Sequence, residues 1–125
     1  MYLIDTHILL WWLTDPSQLS PSAMKIIQDA RNEVYVSAAS IWEIAIKSRL
    51  GKLSVPDDLM EVLEKESIQV LSINEHHAWR TSLLPNHHKD PFDHMIIAQA
   101  QQSQMALISR DKKFERYDLP KLIIG

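Results

Sequence analysis

The chain contains no cysteine, which removes disulfides, thiolate zinc sites and cysteine nucleophiles and leaves any bound metal to oxygen or imidazole. It has only 2 glycines, with 46% hydrophobic and 23% charged residues, so it is neither a disordered chain nor a loop-rich mini-protein that needs staples. Long apolar runs are missing too. The longest, Ile8 to Leu13, falls far short of the roughly 20 residues of a membrane helix, and no charged segment of a secretory signal precedes it. Neither membrane spanning nor secretion is expected, and the lack of cysteine suits a reducing, cytoplasmic location. Charge of either sign is scarce in the balance, with a net −3 and an isoelectric point near 6.0. A nucleic-acid partner must therefore meet a local basic patch.

What remains is enough for one core, and residues 1–125 are expected to form a single domain. Tyr2-Leu-Ile reads as a buried strand, after which Asp5-Thr6 caps an apolar helix through Ile8, Leu9, Trp12 and Leu13. Ser20-Pro21 opens a helix to about Ala30, Glu33 to Val36 is a strand, and Ser37 or Ala38 starts a helix ended by Leu50-Gly51. Further helices are expected over Asp57–Lys65, Asn74–Leu84 and from Pro91, with strands over Ile68–Ile73, Ala106–Ser109 and Lys121–Ile124. Strands alternating with helices, without Asn-Gly hairpin signals, predict an α/β fold: a central parallel sheet of about five short strands covered by helices on both faces. No internal repeat or low-complexity tract is present.

Several carboxylates stand where a core should be. Asp5 is the sole formal charge from Met1 to Thr14, Glu43 the sole one between Glu33 and Lys47, and Asp93 the sole one between Asp90 and Arg110. Carboxylates are normally left in water. Asp5 and Asp111 fall at or just beyond the ends of two strands, where an open parallel sheet forms its binding crevice. Glu43 and Asp93 come from helices that can face it, and Asp90, three residues before Asp93, can point the same way. Such a cluster repels itself unless protons or cations neutralise it, and hard divalent cations prefer oxygen ligands. Mg2+ or Mn2+ is the expected cofactor. One or two such ions ionise water and hold the oxygens of an in-line phosphoryl displacement without any side-chain nucleophile.

Each residue also has a structural role open to it: Asp5 and Asp90 as helix caps, Asp111 as a turn residue, Glu43 as partner of Lys47 one turn on. Their joint occurrence favours chemistry. Lys47, Arg49, Lys89, Arg110 and Lys112 are candidates for gripping phosphates, against the alternative of solvated or helix-end charges. His87 and His88 are expected to be solvated or phosphate-facing, and His76 and His77 to lie on a helix surface. Trp11, Trp12 and Trp42 are not interleaved with basic residues, so core or partner packing is their expected use.

In order along the chain, Leu-Ile-Asp5-Thr-His, Ser37-Ala-Ala-Ser-Ile-Trp-Glu43-Ile-Ala-Ile-Lys47, Asp90-Pro-Phe-Asp93-His-Met-Ile-Ile-Ala-Gln-Ala and Ser109-Arg-Asp111 resemble the PIN-domain ribonucleases. More closely, they are similar to the VapC-type toxins of bacterial and archaeal type II toxin–antitoxin pairs. The resemblance covers essentially the whole chain. It implies a PIN-like fold, Mg2+ or Mn2+ dependence and endonucleolytic cleavage of structured RNA, often transfer or ribosomal RNA. Asp5, Glu43, Asp93 and Asp111 match the family's acidic metal positions, Thr6 its hydroxyl beside the first acid, and Asp90 an auxiliary acid. The resemblance also implies a homodimer and a cognate antitoxin whose tail fills an apolar groove and sends a basic side chain toward the acids. Trp11, Trp12 and Trp42 are candidates for that groove. Two alternatives compete: a phospho-receiver signalling domain, disfavoured because Asn74 follows the third strand, and a catalytically silent PIN-like RNA-binding module, disfavoured by the intact acidic set.

Overall fold

The computed structural model describes residues 1–125. Five strands alternate with six helices: β1 (Tyr2–Ile4), α1 (Thr6–Thr14), α2 (Pro21–Gln28), β2 (Val34–Ser37), α3 (Ala38–Arg49), α4 (Leu59–Lys65), β3 (Ile68–Leu71), α5 (Glu75–Arg80), α6 (Pro91–Ser103), β4 (Ala106–Ser109) and β5 (Leu122–Ile124). All pairings are parallel, in the order β3-β2-β1-β4-β5. A receiver-type order, 2-1-3-4-5, is not what this chain adopts. No helix is long and apolar enough to cross a membrane.

Side chains alternate across the sheet, and both faces are covered. Ile4, Val34, Val36, Ile68 and Ile108 pack on one side with Ile8 and Leu9 of α1, Ala23 and Ile27 of α2, Ile44 of α3, and Leu59 and Leu63 of α4. Leu3 and Leu107 point the other way, against Ile96, Ile97 and Ala100 of α6 and against Phe114 and Tyr117. The chain runs outward from β1 to β3 and then returns to lay β4 on the other side of β1. The strand order therefore reverses between β1 and β4, and a crevice opens there at the strands' carboxyl ends.

Several elements are shorter than their sequence patterns predict. Leu71 pairs with Ser37, the last residue of β2, so beyond it the third strand has no partner and the pattern to Ile73 leaves the sheet. The helix expected over Asn74–Leu84 ends at Arg80 and gives way to a single tighter turn, Thr81–Leu83. Pro85 disfavours helical backbone at Leu84, which is extended. His77, expected on a helix surface, is buried. Its imidazole Nδ1 accepts the Asn74 amide at 3.2 Å, while the Asn74 side chain accepts the His77 amide at 2.9 Å, a reciprocal cap.

Burial holds the His77 imidazole below its ordinary value. The unfolded chain therefore takes up this proton first. The cap's stability is full above pH 6.5 and is lost as pH falls through the folded-state value. Glutamine can fill the same capping position without titrating. His77→Gln is expected to leave the melting temperature at pH 8 nearly unchanged and to shrink its fall between pH 8 and pH 5 by a few degrees. Equal acid sensitivity in the two proteins, measured by thermal melts, would show that this imidazole is not a source of it.

Candidate active site

The acids reach the crevice because most of them also begin a helix or turn. Asp5 directly follows β1, and its Oδ1 accepts the Ile8 amide at 2.9 Å. Asp90 Oδ1 accepts the amides of Phe92 and Asp93 at 2.9 and 3.3 Å, with Pro91 in the first position of α6. Asp111, two residues past β4, accepts the Lys113 amide through Oδ1 at 3.0 Å. In Asp5 and Asp111 capping occupies one oxygen and leaves the other to Ser109 and to Lys113 respectively. Ser109 joins these two acids: its hydroxyl donates to Asp5 Oδ2 and accepts the Asp111 amide at 3.1 Å. Burial pushes the Asp5 carboxyl above the usual carboxylate range, against the Ser109 and Ile8 bonds that favour its charge.

Asp93 is opposite, on the first turn of α6. The ammonium of Lys113 lies 2.5 Å from Asp93 Oδ2 and 3.2 Å from Asp111 Oδ2, so one cation is shared by two carboxylates. Burial pushes Asp93 up to about 7, with Asp90 adding like charge and Lys113 opposing both. Burial also works against the Lys113 charge, yet its contacts with Asp93 and Asp111 prevail and push it up to about 12. Lys113 is therefore a permanent cation here, and Asp93 is the strained partner. His88 closes this end. Its Nε2 faces Asp93 Oδ2 at 3.6 Å, its Nδ1 lies 2.7 Å from the Tyr117 hydroxyl, and its carbonyl contacts the His94 ring at 2.8 Å. Asp93 Oδ2 and His88 Nε2 are both sealed from solvent; the carboxylate oxygen has the Lys113 ammonium as its partner, while the imidazole nitrogen has none.

Glu43 lies buried on α3. Thr6 donates to its Oε1 at 2.8 Å and lies 2.9 Å from the buried Ser40 hydroxyl. Lys47 holds Oε2 at 2.8 Å, which is the pairing one turn apart that the sequence allowed. Thr6, the residue after Asp5, thus ties the start of α1 to Glu43, while Lys47 is engaged with that acid. Arg110 is engaged as well: its guanidinium lies 5.2 Å from the Trp11 ring and donates to the Gln18 carbonyl at 2.9 Å. Asp5, His7, Trp11, Arg110 and Asp111 line a cavity of about 230 Å³ at the crevice mouth. Arg49, Lys89 and Lys112 are exposed.

The tryptophans are not brought together. Trp11 borders the crevice. Trp12 packs against the core and donates to Glu66 at 3.2 Å, beside a separate hollow of about 310 Å³. Trp42 is 63% exposed, set edge-on against Phe92 at 5.4 Å over an apolar groove of about 330 Å³ that includes Ile73 and Met95. Sequence reasoning missed Ser40, Ser109 and Tyr117 as site residues and did not pair Lys113 with Asp93. The two serines had a signal, a hydroxyl inside an apolar helix or at a strand end; Lys113 and Tyr117 had none without the fold.

As they stand, no three histidine, aspartate or glutamate side chains are set to hold an ion together. The donor set still fits a hard divalent cation. It is all carboxylate oxygen with an imidazole beside it, a cation already sits between two members, and the buried imidazole nitrogen facing Asp93 lacks a hydrogen-bond partner.

Comparison with known proteins bears on the same residues. The model of the PIN domain matches residues 2–119. Ribonuclease VapC22 of Mycobacterium tuberculosis is 26% identical over 122 residues, which are 95% of this chain and 93% of that protein. Among solved structures, DNA-bound VapBC from Salmonella typhimurium aligns with a TM-score of 0.69 at 16% identity, over 99% of this chain and 96% of that one. FitAcB from Neisseria gonorrhoeae aligns with a TM-score of 0.66 at 22% identity, over 98% and 96%. At these identities the structures show a shared fold.

Proposed function

The chain belongs to the PIN-domain family, and from that premise we propose that it is a Mg2+- or Mn2+-dependent endoribonuclease, the toxin of a type II toxin–antitoxin pair. Its substrate is structured RNA of the transfer or ribosomal class, cut by attack of water on a phosphodiester. The observation that carries this reading is the chain of contacts beside the point where strand order reverses: Ser109 links Asp5 to Asp111, and the Lys113 ammonium links Asp111 to Asp93. A ribonuclease named VapC22 matching nearly the whole chain supports the activity. The VapBC neighbour and a toxin–antitoxin complex from Klebsiella pneumoniae support a cognate antitoxin as partner.

Asp5, Asp93, Asp111 and Glu43 would hold the ion. When bound, it supplies a water ionised near neutral pH and neutralises charge on the phosphate. Thr6 and Ser40 fix the orientation of Glu43, and Ser109 fixes Asp5 and the Asp111 backbone. Exposed Arg49, Lys89 and Lys112, with Lys47 and Arg110 at the rim, meet the RNA backbone. The chain acts as a homodimer in the cytoplasm.

Purified protein is expected to cleave RNA internally, to lose that activity on chelation and to regain it with Mg2+ or Mn2+, read by sequencing RNA ends. Sequencing ends after induced expression identifies the RNA. Cleavage that persists in chelator would remove the metal from the mechanism, and no cleavage of any cellular RNA would favour a silent RNA-binding module.

A further inference from the structure

We propose that Lys113 is a built-in substitute for the divalent cation: its ammonium holds Asp93 and Asp111 together in the metal-free chain and must leave before those acids can chelate an ion. The inference rests on the metal-dependent reading above and adds a residue that governs how the ion enters.

Geometry supplies the first argument. The ammonium contacts one oxygen of each acid, at 2.5 and 3.2 Å, and so fills the space between the two carboxylates that an ion held by both would need. An ammonium and a divalent cation cannot share such positions, because two positive centres at bonding distance in a partly buried site repel strongly. Either the ion is excluded or the lysine moves.

The anchoring of Lys113 allows that movement. Its amide donates to Asp111 Oδ1 at 3.0 Å while its ammonium reaches Oδ2 of the same carboxylate. The backbone is fixed in the turn Lys112–Arg116, so only the side chain needs to swing. That side chain is 33% exposed, and a lysine stem has four flexible carbons. The charge is thus mobile on a fixed base.

The surroundings give the third argument. His88 Nε2 is the other polar atom facing Asp93 Oδ2, and at 3.6 Å it is too far to replace the ammonium as that oxygen's donor. If the ammonium left alone, a proton or another cation would have to neutralise Asp93. An arriving ion fills that need as the lysine departs. The same cation that lets the metal-free chain fold around its acids weakens their affinity for metal.

The test uses the full chain without RNA. Calorimetric titration of Mn2+ is expected to give Lys113→Met a dissociation constant at least about tenfold tighter than wild type, with Lys113→Arg close to wild type. Metal-free Lys113→Met is expected to melt several degrees lower than wild type and to recover on adding Mn2+. A second readout needs no substitution. After reductive 13C-methylation of wild-type lysines, the Lys113 signal is expected to move to the position of an exposed lysine as Mg2+ saturates the protein. Equal or weaker Mn2+ binding by Lys113→Met, or a Lys113 signal unmoved by saturating Mg2+, would overturn the inference while leaving the nuclease reading in place. Failure of wild type and every variant to bind Mn2+ at millimolar concentration would overturn the metal-dependent reading itself, and this inference with it.

Discussion

Asp93→Asn is expected to reduce RNA cleavage at least about 100-fold, the scale seen when one electrostatic contributor to a transition state is removed, and to leave the chain folded. Asparagine has nearly the same shape, and Asp93 caps nothing: the amides at the start of α6 go to Asp90. Burial already pushes Asp93 up to about 7, so removing the charge relieves the fold and disables the site together. Asp5→Asn should match it in activity. The asparagine carbonyl can still accept the Ile8 amide, but the Ser109 bond to Oδ2 is lost. Initial rates at saturating Mg2+, set beside thermal melts, separate the two effects. Full activity in Asp93→Asn with unchanged Mn2+ affinity would remove this carboxylate from the reaction.

The link between capping and chemistry explains how so small a fold carries so many acids. A free carboxylate at the end of a strand would cost stability, since burial disfavours its charge. Here Asp5 and Asp111 each give one oxygen to a backbone amide that would otherwise lack a partner. Part of the desolvation cost is offset by a cap the helix or turn needs in any case. Glu43 uses Lys47, and Asp93 uses Lys113. The structural and chemical roles that compete in the sequence are thus both present, on different oxygens of the same side chains.

That duality also marks how far the sequence is legible. The acids stand out because each is alone in an apolar stretch, and the parallel sheet is readable because strands covered on both faces are continuous apolar runs. Strand ends are less readable. Nothing in Ile68–Ile73 says that β2 stops at Ser37, and it is that neighbour which ends β3 at Leu71. The second cation is less readable still. Lys47 is one helical turn from Glu43, so local spacing suffices to pair them. Lys113 is separated from Asp93 by the rest of α6 and by β4, and its sequence neighbours Lys112 and Arg116 are exposed. A basic run on a turn has the pattern of a solvated surface, and only the fold turns one of its members inward. His77 fails for a similar reason. Next to exposed His76 it reads as surface, while its role depends on a side chain three residues earlier.

Trp42→Ala is expected to weaken binding of the cognate antitoxin by at least about 2 kcal/mol, roughly 30-fold, the usual mark of an aromatic hot spot. Although the three tryptophans lie on separate surfaces, Trp42 combines high exposure with an apolar groove, beside Phe92, Ile73 and Met95. An indole left in water at the edge of such a groove is a site for a partner's apolar side chain. Its position matters as much as its size. Trp42 immediately precedes Glu43, and Phe92 immediately precedes Asp93, so the groove and the acids occupy adjoining faces of the same two helices. From there an arginine or lysine of the partner can reach the carboxylates and compete with the ion. Being exposed, Trp42 can be removed at little cost to the fold, whereas Trp12→Ala, which strips packing from the core and leaves Glu66 unpaired, should lower the melting temperature. The measurement is calorimetric titration of antitoxin, with melts and RNA cleavage by the free toxin as controls. Unchanged antitoxin affinity in Trp42→Ala, together with dissociation of the dimer in sedimentation, would assign the groove to a second copy of this chain. Unchanged affinity with the dimer intact would leave Trp11, at the crevice mouth, as the tryptophan positioned to meet the inhibitor.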